Sequence, residues 1–244
     1  SQRFQGQFSM AGVRFWSGMK GLDPAILHHI AQFQQVVPVF TNVIFDTSQP
    51  HSNVVFSHMF AWLDLVLGIA RTHPETLFVL RAHPDEGRPG KASQESVRQW
   101  VEHTGADRLP NLIFIASHQP LSSYDLIRRS KFTMIYNSTI GLEASLLGVP
   151  VLCAGRARFT QLPTVFFPPT PEAFRQQAEQ FLVAQQIDVP PEFAHNARRF
   201  LYYQLYYSSL PFGDYLEEDG IWPGFVRLRK FSPDKLTAAQ SPAI

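Results

Sequence analysis

Apolar residues in this chain fall into short runs separated by amphipathic stretches, and the two alternate regularly from about residue 37 to residue 154. The runs at residues 39–45, 76–81, 112–115, 132–136 and 149–154 have the length and side chains of strands buried on both faces. Helical spacing fills the gaps. Phe56, Phe60, Leu63, Leu67 and Ile69 mark a helix over residues 53–71, and Val97, Trp100 and Val101 mark another over residues 93–103. Ser122 or Ser123 caps a third that runs to Arg129, and Asn137, Ser138 and Thr139 can cap a fourth that Gly148 and Pro150 terminate. Strands and helices alternating at this rate predict right-handed crossovers and a Rossmann-like parallel sheet flanked by helices on both faces, the α/β class.

The flanks are less regular. Residues 1–20 are polar and Gly-rich, and Asp23 with Pro24 starts a helix expected to reach residue 35. Residues 164–167 read as a sixth strand, and Pro168, Pro169 and Pro171 open a helix to about residue 185. A C-terminal aromatic helix over residues 191–209 carries Phe200, Tyr202, Tyr203, Tyr206 and Tyr207; it lacks a wide polar face, so its aromatics are expected to pack. The polar end is expected to fray from about Asp234.

Composition narrows the function classes. With 45% hydrophobic and 13% aromatic residues over 244 positions, the chain can bury a sizeable core. Its 21 basic and 20 acidic residues are interspersed, which leaves no electrostatic footprint for nucleic acid. No run approaches the ~18 to 20 apolar residues of a membrane-spanning helix. A single cysteine, Cys153, excludes an internal disulfide framework and fits a reducing compartment. The chain begins at Ser1 without Met and is expected to be a piece of something longer.

Candidate chemistry follows the strands. Asp46 to Gln49, His83 to Glu86, Ser117 to Gln119 and Asn137 to Thr139 each directly follow a predicted strand, so all four groups gather along one edge of a parallel sheet, where ligands bind in such folds. Ser138 and Thr139 stand at a helix start, whose N–H groups and dipole suit an anion such as a phosphate. Taken singly, each residue has a plainer role: His83 can cap a strand end, the two hydroxyls can cap the helix, and Glu143 can be a first-turn acid favoured by the dipole.

The segment RAHPDE at residues 81–86, followed later by NSTIGLEASLLGVPVLCAG at residues 137–155, resembles the donor-binding half of GT-B glycosyltransferases. The likeness is to the capsule-polysaccharide type and to relatives that use cytidine-nucleotide donors, and it covers residues 39–183. It implies that His83 and Pro84 contact the nucleotide and its phosphate, that Ser138 and Thr139 hold the phosphate, and that Glu143 accepts hydrogen bonds from the ribose. With the neighbouring positions along the same edge and in the same motifs, the candidate nucleotide-sugar-binding set is Thr47, Arg81, His83, Pro84, Glu86, Ser117, His118, Asn137, Ser138, Thr139, Gly141 and Glu143. His83 and Asp46 are the candidates for catalytic roles, with Asp85 as the other carboxylate near the cleft. No metal site and no cofactor beyond the donor are expected.

The organisation this implies is a leader and linker helix over residues 1–37, a Rossmann-like nucleotide-sugar-binding domain over 38–190, and a C-terminal helix and tail over 191–244. The implied function is transfer of a sugar from a CMP- or UDP-linked donor to a surface or capsular polysaccharide or a glycolipid. The expected location is cytoplasmic, including the inner face of the membrane. A GT-B enzyme has two such domains and only one alternating unit is present here. Either the acceptor half has been removed, or another chain supplies it, or the protein is not an active transferase. A UDP-GlcNAc 2-epimerase-like enzyme and a non-catalytic nucleotide-binding module are the alternatives.

Overall fold

The computed structural model describes residues 21–44, 49–87, 95–208, 213–221 and 226–240. Residues 20–198 form one compact unit and those from 199 onward belong to a second, the division falling within the last long helix.

The first unit is built on a parallel sheet of five strands: β1 (Gln35–Phe40), β2 (Thr76–Arg81), β3 (Leu112–Ile115), β4 (Thr133–Ile135) and β5 (Val151–Cys153), in the order β3-β2-β1-β4-β5. The helices between them are α3 (Met59–Thr72), α4 (Val97–Thr104), α5 (Ser123–Arg129) and α6 (Ile140–Leu146). Before β1 lies α1 (Pro24–Ile30), before α3 the single turn α2 (Gln49–Ser52), and after β5 come α7 (Pro171–Val183) and α8 (Pro191–Tyr206). The Rossmann-like class is therefore as the sequence predicts, with β2 and β3 at their predicted bounds.

Strand β1 departs from expectation. It starts at Gln35 and ends at Phe40 instead of covering residues 39–45, and α1 correspondingly stops at Ile30. Pro38 accounts for the misreading, since proline in a central strand removes a ladder donor. The ladder tolerates it here. Thr41 N–H donates to Arg81 O on the β2 side, whereas Val36 O and Phe40 O accept from Lys131 and Tyr136 on the β4 side. Alternation then turns Pro38 toward β4, whose pairing begins only at Val39, so no β1–β2 bond is lost.

Two cores cover the sheet. On one face Trp62, Leu63, Val66 and Ile69 of α3, Val97 and Val101 of α4, and Phe174, Ala178 and Phe181 of α7 pack on Val37, Val39, Phe78 and Leu80. On the other, Leu126 of α5, with Leu121 and Leu22, packs on Val36, Leu77, Val79 and Ile115. The helix starts are set by caps that local pattern obscured. His58 Nδ1 accepts from Ala61 N–H, placing the start of α3 six residues later than predicted, and a Ser96/Gln99 capping box starts α4 after Ser96. The expected sixth strand is a single parallel bridge, Leu152 to Phe166.

The amino edge of the sheet is tied by a charged cluster. His73, which ends α3, donates from its two ring nitrogens to Glu75 and to Glu179 of α7. Burial opposes charge on the ring, but the hydrogen bonds and charges of the two carboxylates together outweigh it and hold its pKa above the usual 6.5. The stability this contributes is fully present below about 6.5 and is lost as pH rises through the higher folded pKa. Urea unfolding between pH 6 and pH 9 should therefore show wild type losing stability through the window above 6.5, with a flatter profile for His73→Gln. Parallel profiles for the two proteins would remove this account.

In the second unit β6 (Leu216–Glu218) and β7 (Val226–Leu228) form an antiparallel pair that the sequence reading missed. Buried Tyr215 fixes it: its ring meets Phe231 edge-on and its hydroxyl donates to Lys235 O at 2.8 Å, beside a 3-10 turn (Pro233–Leu236) where fraying was expected. In α8, Phe193 and Ala197 are buried, but Tyr202, Tyr203 and Tyr206, with Tyr207 just past its end, are exposed and pair with one another, so the expectation that the aromatics pack holds only for the first half of the helix.

Candidate functional site at the carboxyl edge of the sheet

The crossovers through α3 and α4 lie on one face and α5 on the other, so strand order reverses between β1 and β4. Neighbouring loops diverge at such a reversal and leave a crevice at the carboxyl ends of the two strands. The residues following β1 and β4 meet there. Asn137 N–H donates to Asn42 Oδ1 at 3.2 Å, Asn137 Nδ2 donates to Ser52 Oγ, and the Tyr136 hydroxyl donates to Asn53 Oδ1. Burial, and then the neighbouring Cys153, raises the pKa of Tyr136, so the phenol keeps its proton and remains a donor. Cys153 is fully buried, its thiol pushed up to about 12 by burial, and it donates to Tyr136 O and Gly155 O; it is a packing residue.

The loops of the other strands join the same edge. A methyl group on Gly87, after β2, would come within 3.0 Å of Ser117 Oγ after β3, and Arg156 N–H, after β5, donates to Ser52 O. The residues after β2, β3 and β4 thus share one edge with Asn42 after β1, as their positions after strands predicted, and Arg156 after β5 joins them; Asp46 and Thr47, which also follow β1, lie outside the described residues.

Individual residues divide. Ser138 is 8% exposed and Thr139 is exposed, and neither caps α6: Thr139 occupies the N-cap position with no side-chain cap bond, and Asn137 spends its amide on Ser52. The capping role the sequence allowed them is therefore not used. Among the described residues neither hydroxyl has a hydrogen-bond partner. With seven residues, α6 offers less than two turns, so an anion here would rest on side chains more than on a helix dipole. His83 accepts the Asp85 N–H on Nδ1 at 3.2 Å, which puts the proton of the neutral ring on Nε2 and makes that atom a donor. Pro84 opens a 3-10 turn (Pro84–Gly87) that carries Asp85 and Glu86.

Other candidates serve the fold. Glu86 turns to α4, where Oε1 accepts the Val97 N–H; burial raises its pKa against that bond and against Arg98. Gly141 faces the sheet, not the crevice, since a methyl group there would come within 2.2 Å of Ile135 Cδ1, so glycine is what lets α6 lie close on β4. His118 is exposed next to Ser117, in a turn stapled by Gln119 Oε1 accepting from Ala116 N–H at 2.6 Å. Glu143 accepts from the hydroxyl of Tyr124 on α5 at 2.7 Å, which sets α5 and α6 side by side.

Asn42, Ser52, Asn53, Tyr124 and Tyr136 were not singled out from the sequence. Asn42 falls inside the strand predicted over residues 39–45, and the partners of the others belong to different elements. Arg81, the last residue of β2, is 3% exposed, and among the described residues its Nη1 has no hydrogen-bond partner.

A sequence profile described as capsule polysaccharide biosynthesis protein matches residues 34–181, more than half of the chain and the whole of this sheet edge. The chain belongs to that family. No curated protein matches it. Among solved structures it is similar to a Staphylococcus aureus MnaA–UDP complex, at 13% identity and TM-score 0.46 over 77% of this chain and 49% of that one. It is also similar to a UDP-GlcNAc 2-epimerase from Neisseria meningitidis bound to UDP-GlcNAc (14%, 0.45, 74% and 46%) and to KpsC of Thermosulfurimonas dismutans, a beta Kdo 2,7 transferase (17%, 0.39, 63% and 50%). The chain spans about half the length of these structures. Among the described residues, no helix of this family member is long and apolar enough to cross a membrane.

Proposed function

We propose that this capsule biosynthesis protein binds the donor of a glycosyltransferase reaction, a CMP- or UDP-linked sugar, in the crevice between the carboxyl ends of β1 and β4. The observation that carries the reading is the pair of hydroxyls at Ser138 and Thr139, which stand at this crevice and do not cap α6. With His83 Nε2–H they form a donor set of the kind that holds a phosphate, each charge-assisted hydrogen bond contributing about 1.5 to 3 kcal/mol. As the bond from sugar to phosphate breaks, negative charge builds on the departing phosphate oxygen, and the His83 donor offsets it.

Glu143, one turn into α6 and bonded to the Tyr124 hydroxyl, is our candidate for the ribose hydroxyls. The acceptor is a polysaccharide or glycolipid, and Asp46 and Asp85 are the candidates on this chain for the residue that deprotonates it. The reading uses no cofactor or metal and places the protein in the cytoplasm.

The test is a thermal-shift panel of the chain with CMP, CDP, UDP, GDP and ADP at millimolar concentration, repeated on the double variant Ser138→Ala/Thr139→Ala. A ligand at about 100 times its dissociation constant stabilises by about 2.7 kcal/mol, a readable rise in midpoint. A rise with cytidine or uridine nucleotides that the double variant loses is the expected result. An equal rise in the double variant would take the phosphate away from these hydroxyls.

A further inference from the structure

The buried cation at the end of β2 stands apart from every other charge described. Arg81 lies on the strand face of Leu77 and Val79, the face that α5 covers, and at the carboxyl end of its strand. It is 3% exposed, and among the described residues its buried Nη1 has no hydrogen-bond partner. Two carboxylates of this edge are engaged elsewhere, Glu86 with the Val97 N–H and Glu143 with the Tyr124 hydroxyl. Burial alone lowers its pKa, to about 10, with no acid offsetting it. At neutral pH the group remains charged.

A buried charge without a counter-ion is costly, by several kcal/mol in typical proteins, and native folds pair such groups or avoid them. An apolar side chain at this position would suit the ligand-free fold better. We infer that Arg81 is an anion receptor, whose guanidinium fork takes two oxygens of a phosphate or carboxylate carried by the ligand of this sheet edge. This rests on the reading of the edge as a nucleotide-sugar site and extends it to the buried side of β2. The planar fork matches either oxyanion, and the two sources are a phosphate of the nucleotide and a carboxylate of the sugar.

The experiment compares wild type with Arg81→Met and Arg81→Lys, measuring the unfolding midpoint without ligand and the affinities for cytidine, CMP, inorganic phosphate, glucose and glucuronate. Arg81→Met is expected to match or exceed wild type in midpoint, because it removes an uncompensated buried charge. The preference for CMP over cytidine should fall roughly tenfold to a hundredfold in Arg81→Met, the worth of one charged hydrogen-bonded pair, and fall partway in Arg81→Lys. If a sugar carboxylate is the partner, the fall appears in the preference for glucuronate over glucose instead. Should Arg81→Met not fold, the Arg81→Lys ratios decide alone.

Nucleotide binding with both preferences unchanged in the variants would overturn the inference and leave the proposed function standing. Arg81-dependent binding of phosphate or glucuronate without any nucleotide binding would do the reverse. Wild type that binds no anion at all would overturn both.

Discussion

Replacing His83 with alanine is expected to lower sugar transfer by roughly a hundredfold to a thousandfold, the usual loss when one donor to a developing negative charge is removed. The geometry explains why so much should depend on this ring. Its Nδ1 accepts the Asp85 N–H, so the ring is oriented by the turn after β2 and carries its proton on Nε2. A donor held in this way loses nothing to reorganisation when charge appears on the phosphate. The loss should fall mainly on kcat, because the hydrogen bond strengthens as the bond to the leaving phosphate breaks. His83→Gln, which retains an N–H near the position of Nε2, should recover part of the rate. The assay follows transfer from a CMP- or UDP-linked sugar to a polysaccharide acceptor, the activity proposed above. A kcat within threefold of wild type in His83→Ala would exclude the ring from the transfer step.

Asn111→Ala is expected to cost about 2 to 4 kcal/mol of stability, the range for a buried residue that satisfies several backbone groups. Asn111 is buried just before β3, and its Nδ2 donates to Ala70 O, His73 O and Thr76 O at 2.9, 2.9 and 3.1 Å. It therefore binds the end of α3 and the start of β2 to the start of β3 through one amide. Truncation leaves those carbonyls short of a donor in a place water does not reach. Denaturant titration of the two proteins measures the difference. A loss below about 0.5 kcal/mol, the level of an ordinary surface substitution, would mean that water or backbone movement replaces the amide.

The site was legible in outline and not in wiring. Polar clusters after strands predicted a common edge, and Asn42, Ser52, Ser117, Asn137 and Arg156 all belong to it. Sequence spacing could not say which members of a cluster face a ligand. Glu86 and Gly141 sit in the same short motifs as His83 and Ser138, yet one serves the start of α4 and the other the packing of α6 on β4. Each of these roles depends on a neighbour from a different element. The same holds for Tyr124, whose hydroxyl meets Glu143 only because α5 and α6 lie side by side.

By itself the sequence determined the class of fold, the bounds of β2 and β3, the start of α5 to within one residue and the edge along which polar residues collect. These follow from local quantities, the period of apolar residues and the turn chemistry between them, which the chain carries wherever it folds. Tertiary structure decided that β1 runs through Pro38, because only the register against β2 and β4 reveals a position where no donor is needed. It also decided that the hydroxyls of Ser138 and Thr139 are unused by α6, and that Arg81 is a buried cation without an acid. Burial and pairing belong to residues distant in sequence and brought together in space, and no local pattern encodes them.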